Sequence, residues 1–522
     1  MHVCCAWYHA ARRALDRSSE LLLRSREDLR IHADRLVATR KTGYNRRFRQ
    51  MFVDDNPREP FAHVWPILIP GSYLQDLLEL KLSGIDWTTT NPHNTFDICL
   101  SFYSGITILS ITHCSFRTGR ELRRITNALG RLTSLSLSNI TLQYPEPLSS
   151  HVSARCELLH RISLTALDSL SSSNDVLGRG EAVSRAALRH TLATYSSVFS
   201  LGVDLSYFPS VLHLLRYLAH FPRLDSLRLS GDVDPDVEIG PTDADSPHTE
   251  YTLTRRLSSF ALQEVAETPA LQLLRLLSTP GARSSLHNLT LGLQFRPSAE
   301  LLLYLTRLLH LCGRSLKRFW WEVDGDSRII PPLTANASLK DLVISLNHVP
   351  PRLRTIQNIF KTVLSDITST RLGLLYLNIN LDVPEPLQAA IEETFEGADA
   401  SDSISAFHSI LSRSVFDELP TVGYETGYET GVHITVSCNT EDLPSDIEAL
   451  KPAFISAIKP HVLALFSPWL DRGVLCLWLR PDPHGEGRIT RAPTAEKAAL
   501  DDALVSEDVP KEVGANGNGE ST

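Results

Sequence analysis

The sequence predicts an α/β solenoid, with parallel strands along a concave face and helices on the convex one. Two observations carry this. An L-x-x-L-x-L spacing that begins at Leu77 returns at Ile106, Leu132, Leu159, Val198, Leu224, Leu286, Leu316, Leu339 and Leu372. Differences between successive anchors include 106−77=29, 132−106=26, 159−132=27, 224−198=26 and 316−286=30, the period of a leucine-rich repeat. The gap 286−224=62 leaves room for one weak repeat plus an insertion. The second observation is a change of apolar period within each repeat. Leu135-Ser136-Leu137 and Leu342-Val343-Ile344 alternate with period two, as strands do. Leu122/Ile125/Leu129, Val211/Leu214/Leu215/Leu218 and Ile356/Ile359/Phe360/Val363 repeat at helical spacing, placing one apolar stripe on one side of a helix.

Taken in order, residues 1–18 predict a helix and residues 19–76 an N-terminal cap with a first irregular repeat. The solenoid proper is expected over 77–380. Within it, 231–250 reads as a looped insertion, with seven acids, no Lys or Arg, and prolines at 235, 241 and 247. Eight residues after the anchor, three repeats place Cys114, Asn347 or Asn380, whose side chains can bond the backbone of the turn. Residues 381–480 predict irregular repeats or a cap over the last apolar face. They contain the doubled Gly423-Tyr-Glu-Thr-Gly427-Tyr-Glu-Thr and strand-like Val432–Val436 and Val474–Leu479. From 481 to 522, small, acidic and Gly/Asn residues predict a disordered tail.

Composition narrows the function. The chain has 522 residues, a formal net charge of −9 and a pI near 6.1, which gives no bulk electrostatic attraction to nucleic acid or an anionic membrane. The N-terminal Arg12, Arg13, Arg17, Arg24, Arg26 and Arg30 alternate with Asp16, Glu20, Glu27, Asp28 and Asp34 at helical distances, the pattern of a solvated, ion-paired face. No apolar run reaches the ~18 residues of a membrane span, and the first residues lack the apolar core of a signal peptide. The eight cysteines are scattered without a C-x-x-C pair, which fits reduced thiols in the cytoplasm or nucleus.

Catalytic chemistry finds no foothold. Cys156-x-x-x-His160 and His113-Cys114 lack further metal ligands at usable spacing, and Gly178-Arg-Gly180 follows a Ser-rich stretch instead of a strand, so it makes a poor phosphate loop. No cofactor, metal or enzymatic activity is expected, and the function should be binding. On the concave face, the residue between the second and third apolar positions of each repeat points outward. This series is small and polar early (Ser110, Ser136, Ser163) and bulky late (Trp320, Val343, Tyr376). Arg318, Trp320, Glu322, Val343 and Tyr376 form a candidate protein-binding cluster, of the composition that interface hot spots favour. The alternative is that Trp320 and Tyr376 pack beneath residues 400–480.

At the amino terminus, the run Val3-Cys4-Cys5-Ala6-Trp7-Tyr8-His9-Ala10-Ala11-Arg12 resembles the last helix of an F-box, which ends in a V-C-x-x-W-x-x-x-A/S-R pattern. Glu20–Leu29 resembles the first strand that follows an F-box in fungal, basidiomycete-type F-box proteins with irregular leucine-rich repeats. The likeness extends loosely to about residue 480. It implies a substrate receptor of a cullin ubiquitin ligase, with Val3, Cys4 and Trp7 as remnants of the surface for the Skp adaptor and the solenoid holding the substrate. The Leu-Pro-x-Glu opening and first two helices of an F-box have no counterpart here, so adaptor binding is expected to be weak or absent. The rival expectation is a scaffold unrelated to ubiquitination.

Overall fold

A computed structural model describes residues 20–42, 48–144, 156–166, 179–233, 257–279, 285–324, 329–350, 353–382, 400–425, 428–438, 451–480 and 488–489. The strands, in chain order, are β1 (Glu20–Leu23), β2 (Gln50–Asp54), β3 (Glu79–Ser83), β4 (Ile108–Thr112), β5 (Ser115–Phe116), β6 (Ser134–Ser138), β7 (Thr141–Leu142), β8 (Arg161–Thr165), β9 (Ser200–Asp204) and β10 (Ser226–Ser230). They continue with β11 (Ser259–Gln263), β12 (Asn288–Gly292), β13 (Arg318–Asp324), β14 (Asp341–Val349), β15 (Leu374–Leu381), β16 (Gly423–Glu425), β17 (Tyr428–Cys438), β18 (Leu475–Arg480) and β19 (Arg488–Ile489). Of the 17 strands in the main sheet, β16 and β19 pair antiparallel to their neighbours, and the remaining 15 run parallel in chain order. The chain is a leucine-rich-repeat solenoid.

All ten anchors are buried, and each lies two residues ahead of a strand, from Leu77 before β3 to Leu372 before β15. The pairing is residue for residue apart from a register shift between Leu346 and Val349 of β14: Leu80, Leu109, Leu135 and Ile162 stack in one inward row, and Leu227, Phe260, Leu289, Phe319, Leu342 and Leu375 carry it on. The weak repeat expected between Leu224 and Leu286 is β11, anchored by buried Leu257, with Phe260 standing where leucine usually does. Upstream, Phe48, Met51 and Val53 make the same pattern for β2 from other apolar residues.

Between strands the chain returns on the convex side through helices α1 (Arg26–Thr42), α2 (Trp65–Leu68), α3 (Phe96–Ser101), α4 (Gly119–Ala128), α5 (Arg179–Leu192), α6 (Val211–Leu218), α7 (Glu267–Leu277), α8 (Ala299–Cys312), α9 (Leu353–Asp366), α10 (Ala400–Leu411) and α11 (Lys451–Asp471). The three predicted stripes fall on α4, α6 and α9, and their apolar members are buried against the sheet. Serine caps start two of these helices: Ser210 Oγ accepts from His213 N, and Ser298 Oγ from Leu301 N. Helix ends are tied to the neighbouring repeat by long side chains. Arg413 donates to Leu364 O, Ser365 O and Ile367 O at 2.8–2.9 Å, satisfying carbonyls that the end of α9 leaves without intrahelical partners. Asn336 Nδ2 donates to Gly313 O and to Leu309 O at the end of α8, the latter also accepting from Gly313 N.

The turn leaving each strand has its own conformation. Gly84, His113, Asn139, Gly231 and Glu264, each directly after a strand, have φ between 51° and 70°. All five lie one residue before the Cys/Asn position considered above, Glu264 being counted from Leu257. Cys114 fills that slot as expected, its Sγ donating to Thr112 O at 3.3 Å. Asn380 instead accepts from Ser437 Oγ of the next strand. The C-terminal elements α10, β17, α11 and β18 lie beside the earlier repeats: β17 pairs with β15 from Leu374↔Gly431 to Leu381↔Cys438, and β18 pairs with β17.

Candidate protein-binding face

Strand alternation fixes which side chains this face presents. In β13, Phe319, Trp321 and Val323 point into the core, so Arg318, Trp320, Glu322 and Asp324 point out along the same strand. Register then places neighbours beside them. Trp320 pairs with Val343 and Val343 with Tyr376, which puts the three in one row at the strand spacing of about 4.8 Å. Arg318 pairs with Asp341, and its Nε lies 2.6 Å from Asp341 Oδ2. Glu322 pairs with Ser345. All five predicted residues therefore share one face.

They differ in exposure. Trp320 is 45% exposed, whereas Trp321 beside it is 0% exposed. Val343, Glu322 and Tyr376 are half-buried, and Arg318 is exposed. Tyr376 is held from the next repeat: its ring stacks on His433 at 6.3 Å with an interplanar angle of 21°, and its hydroxyl lies 3.4 Å from Thr435 Oγ1. Strand β17 thus flanks Tyr376, while Trp320 two strands away is open to solvent. Asp341 and Asn378 also belong to the face, and Ser345, His433 and Thr435 lie in its outward rows but are buried; all five were missed in the sequence. Asn378 Nδ2 donates to Ser345 Oγ at 3.1 Å. The signal for His433 and Thr435 was present in the alternation of Val432-His-Ile434-Thr-Val436, whose odd members occupy the outward rows.

The early part of the face is a row of small polar side chains, with Ser110, Ser136, Ser163 and Gly202 in register. Val3, Cys4 and Trp7 lie outside the described residues, as do 234–250 of the acidic stretch and all of 481–522 except Arg488–Ile489. The two metal-like pairs have other roles. Cys156 is buried and its thiol donates to Thr126 O at 3.0 Å, and burial pushes its pKa up to about 11. Burial likewise pushes the Cys114 thiol up to about 12. Among the described residues, Cys99, Cys114, Cys156, Cys312 and Cys476 are in no disulfide. Among the described residues no helix is long and apolar enough to cross a membrane.

By sequence, the chain matches no protein family and no curated protein. Among solved structures it is similar to an internalin of Listeria monocytogenes, with 16% identity over 59% of this chain and 75% of that one, at a TM-score of 0.27. It is similar to the leucine-rich-repeat-containing protein LegL7 of Legionella pneumophila, with 15% identity over 67% of this chain and 99% of that one, at 0.33. A leucine-rich-repeat protein of Leptospira interrogans gives 12% identity, 62% and 89% coverage, and 0.18.

Proposed function

We propose that this chain is a protein-recognition module whose late concave repeats, centred on Trp320, hold the partner. The observation that carries the reading is an aromatic ring left 45% exposed on a rigid sheet, with Val343 and Tyr376 in register beside it and charges from Arg318 and Glu322 two residues away on either side. Rigid aromatic area flanked by orienting charge is what interface anchors provide. Affinity capture from cell extract with the full chain and with the Trp320→Ala/Tyr376→Ala double variant, read by mass spectrometry, tests it. Partners should be retained by the wild type and lost by the variant. With a purified partner, each single change should weaken binding by about 2 kcal/mol, roughly thirtyfold. Equal capture by both proteins would move the binding site elsewhere.

Within this reading, the run Val3–Arg12 supports a more specific role, as a substrate-receptor-like F-box protein of a cullin ubiquitin ligase, with the chemistry done by partner proteins. The thiols in no disulfide support a cytoplasmic or nuclear setting. One short helix offers well under the roughly 1,200 Å² that stable complexes bury, so residues 1–522 should capture the Skp adaptor weakly or not at all. Robust co-purification would overturn that expectation. Partners without any link to ubiquitination would favour a plain scaffold.

A further inference from the structure

The proposed face is electrically lopsided. The outward side chains of β13 run Arg318, Trp320, Glu322, Asp324, about 6.6 Å apart in an extended strand, so that cation, aromatic and anions lie in line from its start to its end. The turns that lead into β13, β14 and β15 are residues 313–317, 333–340 and 367–373. They hold Arg314, Lys317, Lys340 and Arg371, all exposed, and no acid. Lys340 N donates to Lys317 O at 2.7 Å and Gly373 N to Lys340 O at 2.8 Å, which stacks these turns at the same spacing as the strands. Arg318 is ion-paired with Asp341. For the other four, no ion pair is found among the described residues. The far rim carries most of the acids, with Glu322 and Asp324 joined by Glu264 after β11 and by Asp382 after β15, which His348 Nδ1 meets at 3.1 Å; Arg296 after β12 is its exposed base.

We propose that this cationic rim receives an acidic segment of a partner protein, whose carboxylates lie over Lys317 and Lys340. The inference rests on the protein-binding reading of the same face and names the partner's chemistry. Like charges on adjacent strands repel, and a short anionic run laid across them removes that repulsion. A nucleic-acid backbone is the rival polyanion. It is disfavoured because Glu322 lies only about 13 Å from Arg318 along the strand, within reach of any phosphate chain broad enough to cover the rim. A peptide can confine its acids to one side.

The test selects a random library of peptides about 16 residues long on the full chain. Fluorescence anisotropy is then measured for the enriched peptides, for versions with Asp and Glu replaced by Asn and Gln, and for a short single-stranded DNA. Enriched peptides should be rich in Asp and Glu, and their Kd should weaken about tenfold or more in K317E/K340E and less in K317Q/K340Q. Affinity should also fall as salt rises from about 50 to about 300 mM, since screening shortens the reach of exposed charges. Both variants should melt as the wild type does, because the side chains are exposed. The proposal is overturned by an absence of enriched acidic peptides, by acidic peptides that bind K317E/K340E unchanged, or by DNA that binds more tightly than the peptides and depends on the same lysines. Acidic peptides that need the lysines but ignore W320A/Y376A would uphold the rim and sink the aromatic site, so the two readings fail separately.

Discussion

Adjacent tryptophans on β13 offer a direct comparison of the two sides of the sheet. Trp321 is 0% exposed and stacks with Phe319 at 6.4 Å, and Trp320 is 45% exposed. A tryptophan side chain carries roughly 200–250 Å² of surface, so the difference in burial is about 90–110 Å². At ~25 cal/mol per Å² this is about 2–3 kcal/mol. Trp321→Ala should therefore destabilise the fold by about 2–3 kcal/mol more than Trp320→Ala, most of the total of about 3–5 kcal/mol that deleting a large aromatic from a core costs. Urea unfolding followed by circular dichroism measures both, with the slope m checked for each variant because long repeat arrays can unfold in stages. Equal losses in the two variants would mean that Trp320 is core, and both the strand register and the proposed binding face would have to be abandoned.

The same alternation predicts that Leu342→Asp, which buries an unpaired carboxylate in the inward row, destabilises by several kcal/mol. Val343→Asp on the outward row should change the melting temperature little, and similar losses for both would refute the register. Arg413→Met keeps the apolar stem but abandons the three carbonyls at the end of α9, and should lose about 2 kcal/mol in chemical denaturation. An unchanged midpoint would show that water replaces the guanidinium there. Buried Asp55 accepts from Phe61 N and Ala62 N, yet desolvation outweighs these bonds and raises its pKa. A carboxyl that is raised in the folded state holds its proton better folded than unfolded, so its contribution to stability declines as pH rises through its pKa. Asp55→Asn retains an acceptor oxygen and should flatten that part of the stability–pH curve, while Asp55→Ala should lower stability at every pH.

The strands were legible wherever leucine or a close relative filled all three positions of the spacing. Apolar alternation is a direct imprint of a half-buried strand, and burial tolerates little deviation from it. β2 and β11 were harder because Phe48, Met51 and Phe260 satisfy the same burial with different shapes. The turn conformation escaped the sequence altogether. Glycine announces a positive φ at Gly84, where an added Cβ would also come within 2.7 Å of Asp55 O, but His113 and Glu264 adopt it with ordinary side chains. There the backbone pairing decides: Glu264 N donates to Gly292 O of the next strand. The outward residues of β13 could be named because their own strand pattern is clear. Their neighbours could not be placed beside them: alternation marks His433 as outward, but that it and Asp341 lie next to Tyr376 and Arg318 depends on which strands lie side by side.

The spacing between anchors varies from 339−316=23 to 198−159=39 residues, and the 33 residues from Leu224 to Leu257 contain the acidic stretch. The sheet does not record these differences. Ser226 still faces Ser259 and Ser230 still faces Gln263 with no slip, as do the strands on either side of the longest interval. Length is absorbed on the return arm, so insertion or deletion there is invisible to the concave surface. Two halves of the molecule are in effect free to evolve at different rates: the return arms can gain whole segments and acquire their own contacts, while a displaced residue on the strand side would turn every outward side chain of that rung into the core. The acidic stretch after β10 is a natural place to splice in a reporter domain without disturbing the row that carries Trp320.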